Sequence, residues 1–221
     1  MQLVNLEYFD HFSSLTESIK RVPLTGELSH SKLEPSFRKK EYSKSLFEST
    51  KKAAVLILFY PKFNKTHFIL IKRNSYKGVH SNQIAFPGGK PEKFDNNLKD
   101  TALREANEEV GIFSDDITII KALTPIYIPP SQFYVQPYMG ILRYTPKFKK
   151  QTREVSSILE IPLLDLFNNQ LQQKTKILNS NNKIVEAPAF NFNNHIVWGA
   201  TAMVLSEVKD ILDLVLQKNN Y

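Results

Sequence analysis

The chain has 221 residues, of which 42% are hydrophobic and 23% charged, and it contains no cysteine. That apolar content supports a packed core, and the missing cysteines exclude disulfides, thiolate catalysis and cysteine zinc sites. The formal charge of +7 comes from scattered basic residues, so it does not by itself select nucleic acid over other polyanions.

Residues 1–50 mix charges densely and differ in pattern from the remainder of the chain. Phe9, Phe12, Leu15 and Ile19 recur at helical spacing within Tyr8 to Ile19, which predicts one amphipathic helix. This stretch reads as a helical extension packed on a main domain of residues 51–221. Early acids, Glu7 and Asp10, break any secretory pattern. The expected setting is cytoplasmic, with no membrane partner, because the longest apolar run is Ala53 to Tyr60 and cannot span a bilayer.

Ala53 to Tyr60 and His67 to Lys72 read as strands joined by a turn containing Pro61 and Asn64. A polar loop leads to Ala85-Phe86-Pro87-Gly88-Gly89. Leu98 to Val110 reads as a helix stopped by Gly111. Ile117 to Ala122, Tyr134 to Arg143, Ile184 to Phe190 and His195 to Trp198 are further strands. Lys147, Lys149, Lys150 and Arg153 read as a solvated hairpin tip. Ile161 to Phe167 reads as a short helix with Pro162 in its first turn, and Ala200 to Gln217 as an amphipathic helix. Strands interspersed with few helices predict an α/β fold with a mixed sheet covered by helices.

On a wheel of 3.6 residues per turn, Leu98, Ala102, Leu103, Ala106 and Val110 form one apolar arc. Glu105 and Glu109 stand one above the other at its edge, with Glu108 beside them. Such like charges repel, and near a helix C-terminus the dipole disfavours them too. Cations relieve both costs, and oxygen ligands of this kind suit Mg²⁺ or Mn²⁺. A bare Glu-x-x-Glu-Glu is more often a solvated acidic face, so the flanking residues must decide.

Those flanks resemble the signature of the Nudix hydrolase family. Gly89 opens the box and Arg104-Glu105-Ala106-Asn107-Glu108-Glu109-Val110-Gly111-Ile112 completes it. Asp95 stands where Glu is usual, and eight residues rather than seven separate it from Arg104. The resemblance implies an α/β/α sandwich, metal-dependent hydrolysis of a pyrophosphate bond, and metal held by Glu105, Glu108 and Glu109 beside Gly89. It implies too that Arg104 orients the glutamates. Glu154 and Glu108 are alternatives for the general base.

The segment from Ile69 to Gly89 is similar to the extra motif of the family's coenzyme A pyrophosphatase branch, through Arg73, His80, Gln83 and Phe86 to Gly89. Arg153-Glu154-Val155 and Trp198-Gly199-Ala200-Thr201-Ala202 agree as well. Ile71, Asn74, Gly78 and Asn82 depart from it. The implied partner is a small coenzyme A-like diphosphate, contacted by Arg73, Lys72, Lys77, His80 and Gln83, with Tyr76 or a Phe as a flat partner for adenine. Alternatives are another nucleoside diphosphate derivative, such as ADP-ribose or a dinucleotide, and a non-catalytic nucleotide sensor. Nucleic acid is not an expected partner, and a homodimer is compatible with the sequence without being required by it.

Overall fold

Ala53 to Tyr60 lacks the alternation of a half-exposed strand because both of its faces are covered. In the computed structural model, which describes residues 6–38, 50–74, 83–178 and 183–218, this run lies inside β1 (Lys51–Lys62). Ala54, Leu56, Leu58 and Tyr60 join one buried cluster, and Ile57 and Phe59 join another. The next strand, β2 (Lys65–Arg73), alternates in the same way, with Ile69 and Ile71 in the first cluster and Phe68 and Leu70 in the second.

Phe63 and Asn64 close the β1–β2 hairpin with φ of 50° and 61°, so Lys62 pairs with Lys65. Pro61, expected in the turn, sits within β1 opposite Thr66, because two left-handed residues suffice to reverse the chain.

Among the described residues, eight strands form the main sheet. Beside β2 lie β3 (Ile84–Ala85) and β8 (Val155–Pro162), while β4 (Gly88–Gly89) pairs with β1. On the other side β1 runs parallel to β7 (Phe133–Ile141), which pairs antiparallel with β5 (Thr118–Ala122) and β6 (Ile126–Ile128). The sheet is therefore mixed, as expected. The last three strands form a separate antiparallel sheet of β9 (Gln172–Leu178), β10 (Ile184–Phe192) and β11 (His195–Trp198). The stretch read as a helix from Ile161 begins as the end of β8, and a 3₁₀ turn occupies only Leu163–Phe167. The register of β8 is set by distant β2, a partner that local periodicity does not reveal.

The helix α4 (Leu98–Val110) covers one face of the sheet through Ala102, Ala106 and Val110. The other face is covered by α5 (Gly199–Lys218) and by α1 (Phe9–Ser14) and α2 (Thr16–Arg21), while α3 (Gly26–Ser31) packs against α5. The single amphipathic helix expected over Tyr8 to Ile19 is thus broken at Leu15 into α1 and α2. Its apolar positions are nevertheless all buried: Phe9, Phe12, Leu15 and Ile19 share a core with Phe59, Phe68 and α5.

A polar clip adds to this packing. Buried Glu207 on α5 accepts from the Thr124 hydroxyl at 2.6 Å and from the Gly26 N–H at 3.3 Å, and lies 3.1 Å from His30 Nε2. Its charge is thereby compensated by α3 and by the β5–β6 connection.

Phe12 is fully buried, 4.8 Å from the Phe59 ring. Phe12→Ala is expected to cost about 3–5 kcal/mol in denaturant unfolding. A loss under about 1 kcal/mol would show that the N-terminal helices do not stabilise the sheet.

Candidate active site

Asn97 starts α4 by accepting from the backbone N–H groups of Lys99 and Asp100. Gly111 ends it with φ 75°, where its N–H reaches Asn107 O. The start and stop match those expected from the sequence, so the three glutamates stand at the heights the helical wheel assigns.

Glu109 is 2% exposed. Its Oε2 accepts from Gly88 N–H at 2.8 Å and its Oε1 from Arg73 Nη1 at 3.2 Å. Burial pushes its pKa up to about 7, against the opposing pull of Arg73 and the Gly88 N–H, while Glu105 and Glu154 add repulsion. Glu105 is half-buried beside it, and burial raises its pKa too. Its carboxylate fills the space over Gly89: a Cβ there would lie 2.2 Å from Glu105 Oε1. The close approach of the two explains why a side chain is absent at that turn.

Arg104 is anchored before it reaches the glutamates. Its Nε and Nη2 donate to Asp95 at 3.1 Å, and Nη2 donates to Lys90 O at 2.8 Å. Its Nη1 then donates to Glu105 at 3.1 Å and Glu108 at 3.0 Å. The Arg104 hydrogen bonds hold the Asp95 carboxyl below its usual range despite desolvation. Asp95 thus supplies the anchor that fixes Arg104 from the far side.

Glu108 differs from its neighbours. Its side chain is 51% exposed and turned to Arg104, so the three helical carboxylates do not converge into one cage. Among the described residues no three acidic or histidine side chains form a ready-made metal cage. Glu105 and Glu109 are the pair that meets beside Gly89.

Glu154 reaches the same place from outside the helix. The basic cluster is not a hairpin tip, because β7 and β8 are not sheet neighbours and the chain between them wraps the C-terminus of α4. Lys149 N–H donates to Val110 O and Gln151 N–H to Glu109 O, both at 3.0 Å, satisfying carbonyls the helix leaves open. Asn74 then holds the segment at the end of β2. Its side chain donates to Thr152 O and Arg153 O, and its N–H donates to Glu154 O at 2.8 Å. Glu154 lies 4.0 Å from Arg73 Nη2 and raises the pKa of both Glu105 and Glu109. Asn74 departs from the branch motif, and nothing in the sequence alone assigns it this role.

Arg73 and Gly89 therefore join Arg104, Glu105, Glu109 and Glu154, with Glu108 at the rim. Lys72 does not join them. It lines a hollow with His195 and Trp198, whereas Arg73, across an irregularity in the β2 register, contacts Glu109 on α4. Gln83 contributes its carbonyl, which accepts from Arg73 N–H at 3.0 Å. Lys77, His80 and Tyr76 lie outside the described residues.

Residues 50–177 match the NUDIX domain family. This chain belongs to the Nudix family. It is 30% identical over 159 residues to an uncharacterized Nudix hydrolase, NudL, of Yersinia pestis, covering 71% of this chain and 77% of that one. Against NudL of Pectobacterium atrosepticum the identity is 29% over 149 residues, or 63% and 72% of the two chains. The fold is similar to that of the Nudix hydrolase RenU of M. smegmatis, with a TM-score of 0.52, 11% identity and coverage of 82% and 94%. It is also similar to the NUDIX domain of Shewanella oneidensis NrtR complexed with ADP ribose, with a TM-score of 0.50, 13% identity and coverage of 78% and 94%. As a Nudix hydrolase the chain is a pyrophosphatase, and enzymes of this family use divalent metal ions.

The donor set fits such an ion. Glu105 and Glu109 offer hard carboxylate oxygens, and the raised pKa of each records negative charge that the protein alone compensates poorly. Glu109 keeps its proton up to about pH 7 in the fold and loses it at about 4.3 when unfolded. Its contribution to stability is therefore complete below the unfolded value and is lost as pH rises through about 7. A cation held there would bind the deprotonated carboxylate and reverse that loss. The rise in Tm on adding Mg²⁺ or Mn²⁺ is expected to be larger at pH 8 than at pH 5.5, and Glu109→Gln to flatten the difference. An equal rise at both pH values in the unaltered protein would contradict this assignment.

Proposed function

We propose that the chain hydrolyses the diphosphate bond of coenzyme A or its derivatives, giving 3′,5′-ADP and 4′-phosphopantetheine. The observation that carries this reading is the contact of Arg73 with Glu109 and Gly88. It brings residues of the branch-type motif, Arg73 and the Phe86 to Gly89 turn, onto the acidic helix itself. Residues 51–221 form the hydrolase domain in this reading, and residues 1–50 an extension that buttresses it.

Glu105 and Glu109 would hold Mg²⁺ or Mn²⁺ beside Gly89, with Glu108 contributing from the rim. The ion supplies positive charge to the diphosphate and acidity to water. Arg104 keeps Glu105 in place through its anchor on Asp95. Arg73 fixes Glu109 and presents its second terminal nitrogen toward Glu154 and the diphosphate. Glu154 is the general base: it is exposed, carried on a segment pinned by Asn74, and able to accept the proton of the attacking water. The water oxygen bonds to one phosphorus as the bridging P–O bond breaks, and the other phosphate leaves with the electron pair.

ADP-ribose is the second reading, favoured by the ligand of the NrtR NUDIX domain. A panel of coenzyme A, acyl-coenzyme A, ADP-ribose and dinucleotides, assayed with Mg²⁺ and Mn²⁺ and with products identified by mass, separates the two. Coenzyme A is expected to give the highest kcat/KM, and preference for ADP-ribose would overturn the substrate assignment. Glu109→Gln is expected to lower kcat by roughly 100-fold or more. No turnover of any diphosphate by the unaltered chain would favour the non-catalytic sensor.

A further inference from the structure

Behind β2, on the side away from α4, lies a hollow of about 250 Å³ lined by Lys72, Gln83, Ile84, Asn194, His195 and Trp198. It lies between the end of β2 with β3 and the β10–β11 hairpin. Thr201 in the first turn of α5 donates to Ile84 O at 3.2 Å, which ties this wall to the strand before it. None of the lining side chains is a carboxylate, and Lys72 forms no ion pair among the described residues. His195 donates its Nδ1–H to Asn193 O at 2.9 Å, which leaves Nε2 to accept from a ligand hydroxyl. Half-buried Trp198 offers a flat apolar surface, and Asn194 brings an amide group.

A cation with no carboxylate among the described lining residues, a flat ring and the Asn194 amide make a site for an anion attached to a planar base. Its position relative to the acidic helix gives it a purpose. Lys72 lines the hollow while the next residue, Arg73, contacts Glu109 on the other face. Ile84 pairs with Lys72, and Gly88, which donates to Glu109, stands four residues later. That stretch spans at most about 14 Å when extended, a length that a nucleotide joined through its 5′-diphosphate can bridge.

We propose that this hollow is the subsite for the nucleotide end of the substrate, with the base on Trp198, a ribose-borne phosphate on Lys72 and a ribose hydroxyl at His195. The assignment rests on the diphosphate reading above and adds the feature that selects a phosphorylated nucleotide over an unphosphorylated one. Lys72 is then a specificity residue and takes no part in bond cleavage.

Trp198 is the chain's single tryptophan, so its fluorescence reports the hollow directly. The full chain, unaltered and as Glu109→Gln, is titrated with adenosine 3′,5′-bisphosphate, AMP and inorganic phosphate. Saturable quenching is expected, with the bisphosphate binding at least fivefold more tightly than AMP and phosphate alone giving no change. Lys72→Met should weaken the bisphosphate at least fivefold and leave AMP unaffected. In turnover it should raise KM for coenzyme A by a similar factor, with kcat within twofold, and leave dephospho-coenzyme A unchanged. Unchanged emission at saturating bisphosphate, or equal binding by Lys72→Met, would overturn the subsite. The titration of Glu109→Gln needs no hydrolysis, so a failed substrate assignment and a failed subsite give different results.

Discussion

A carboxylate almost sealed from water must find compensation inside the protein, and Glu109 finds it in two directions. The Gly88 N–H meets one oxygen and the Arg73 guanidinium the other. Those two contacts join three distant pieces of chain: the acidic helix, the glycine turn that ends in β4, and the end of β2. The compensation is incomplete, since burial still holds the Glu109 pKa at about 7. The fold thus stores an electrostatic deficit at the place where the proposed cation would sit.

The second carboxylate is placed by a different device. Glu105 lies against the bare backbone of Gly89 and is steered by Arg104, which is itself anchored on Asp95 and Lys90 O. Asp95 is one methylene shorter than the glutamate usual in the family, yet it reaches Arg104 Nε at 3.1 Å. The residue added before the helix is absorbed in the loop and does not disturb the anchor. The glycine turn thereby sets the positions of both glutamates, one through an N–H and one through the absence of a side chain.

Much of this was legible in the residues. The stop of α4 follows from Gly111, and the apolar arc from Ala102 to Val110 follows from a period that needs no partner; the Asn97 cap at its start emerges only from the structure. The mixed sheet followed from the strand pattern, and its detail did not. The β8 strand depends on β2, and the β10–β11 hairpin belongs to a sheet of its own, so neither is decided by local sequence. Lys72 and Arg73 read alike as neighbouring cations in one motif. The structure sends them to different surroundings, Arg73 to Glu109 and Lys72 to His195 and Trp198, across a register irregularity that the sequence does not reveal. Glu154 was readable only as one of two alternatives, with Glu108, for the general base. Its position depends on Asn74, which binds the carbonyls of Thr152, Arg153 and Glu154, and on Gln151, which closes the C-terminus of a helix more than forty residues away.

Metal binding at the paired glutamates is tested most directly by anomalous diffraction from crystals of the full chain grown with Mn²⁺ at pH 8. A manganese peak is expected within coordination distance of Glu105 and Glu109 beside Gly89, absent from Glu109→Gln crystals prepared in the same way. Crystals of the unaltered chain with no peak at that position, and with Glu109 still enclosed by Arg73 and Gly88, would contradict it.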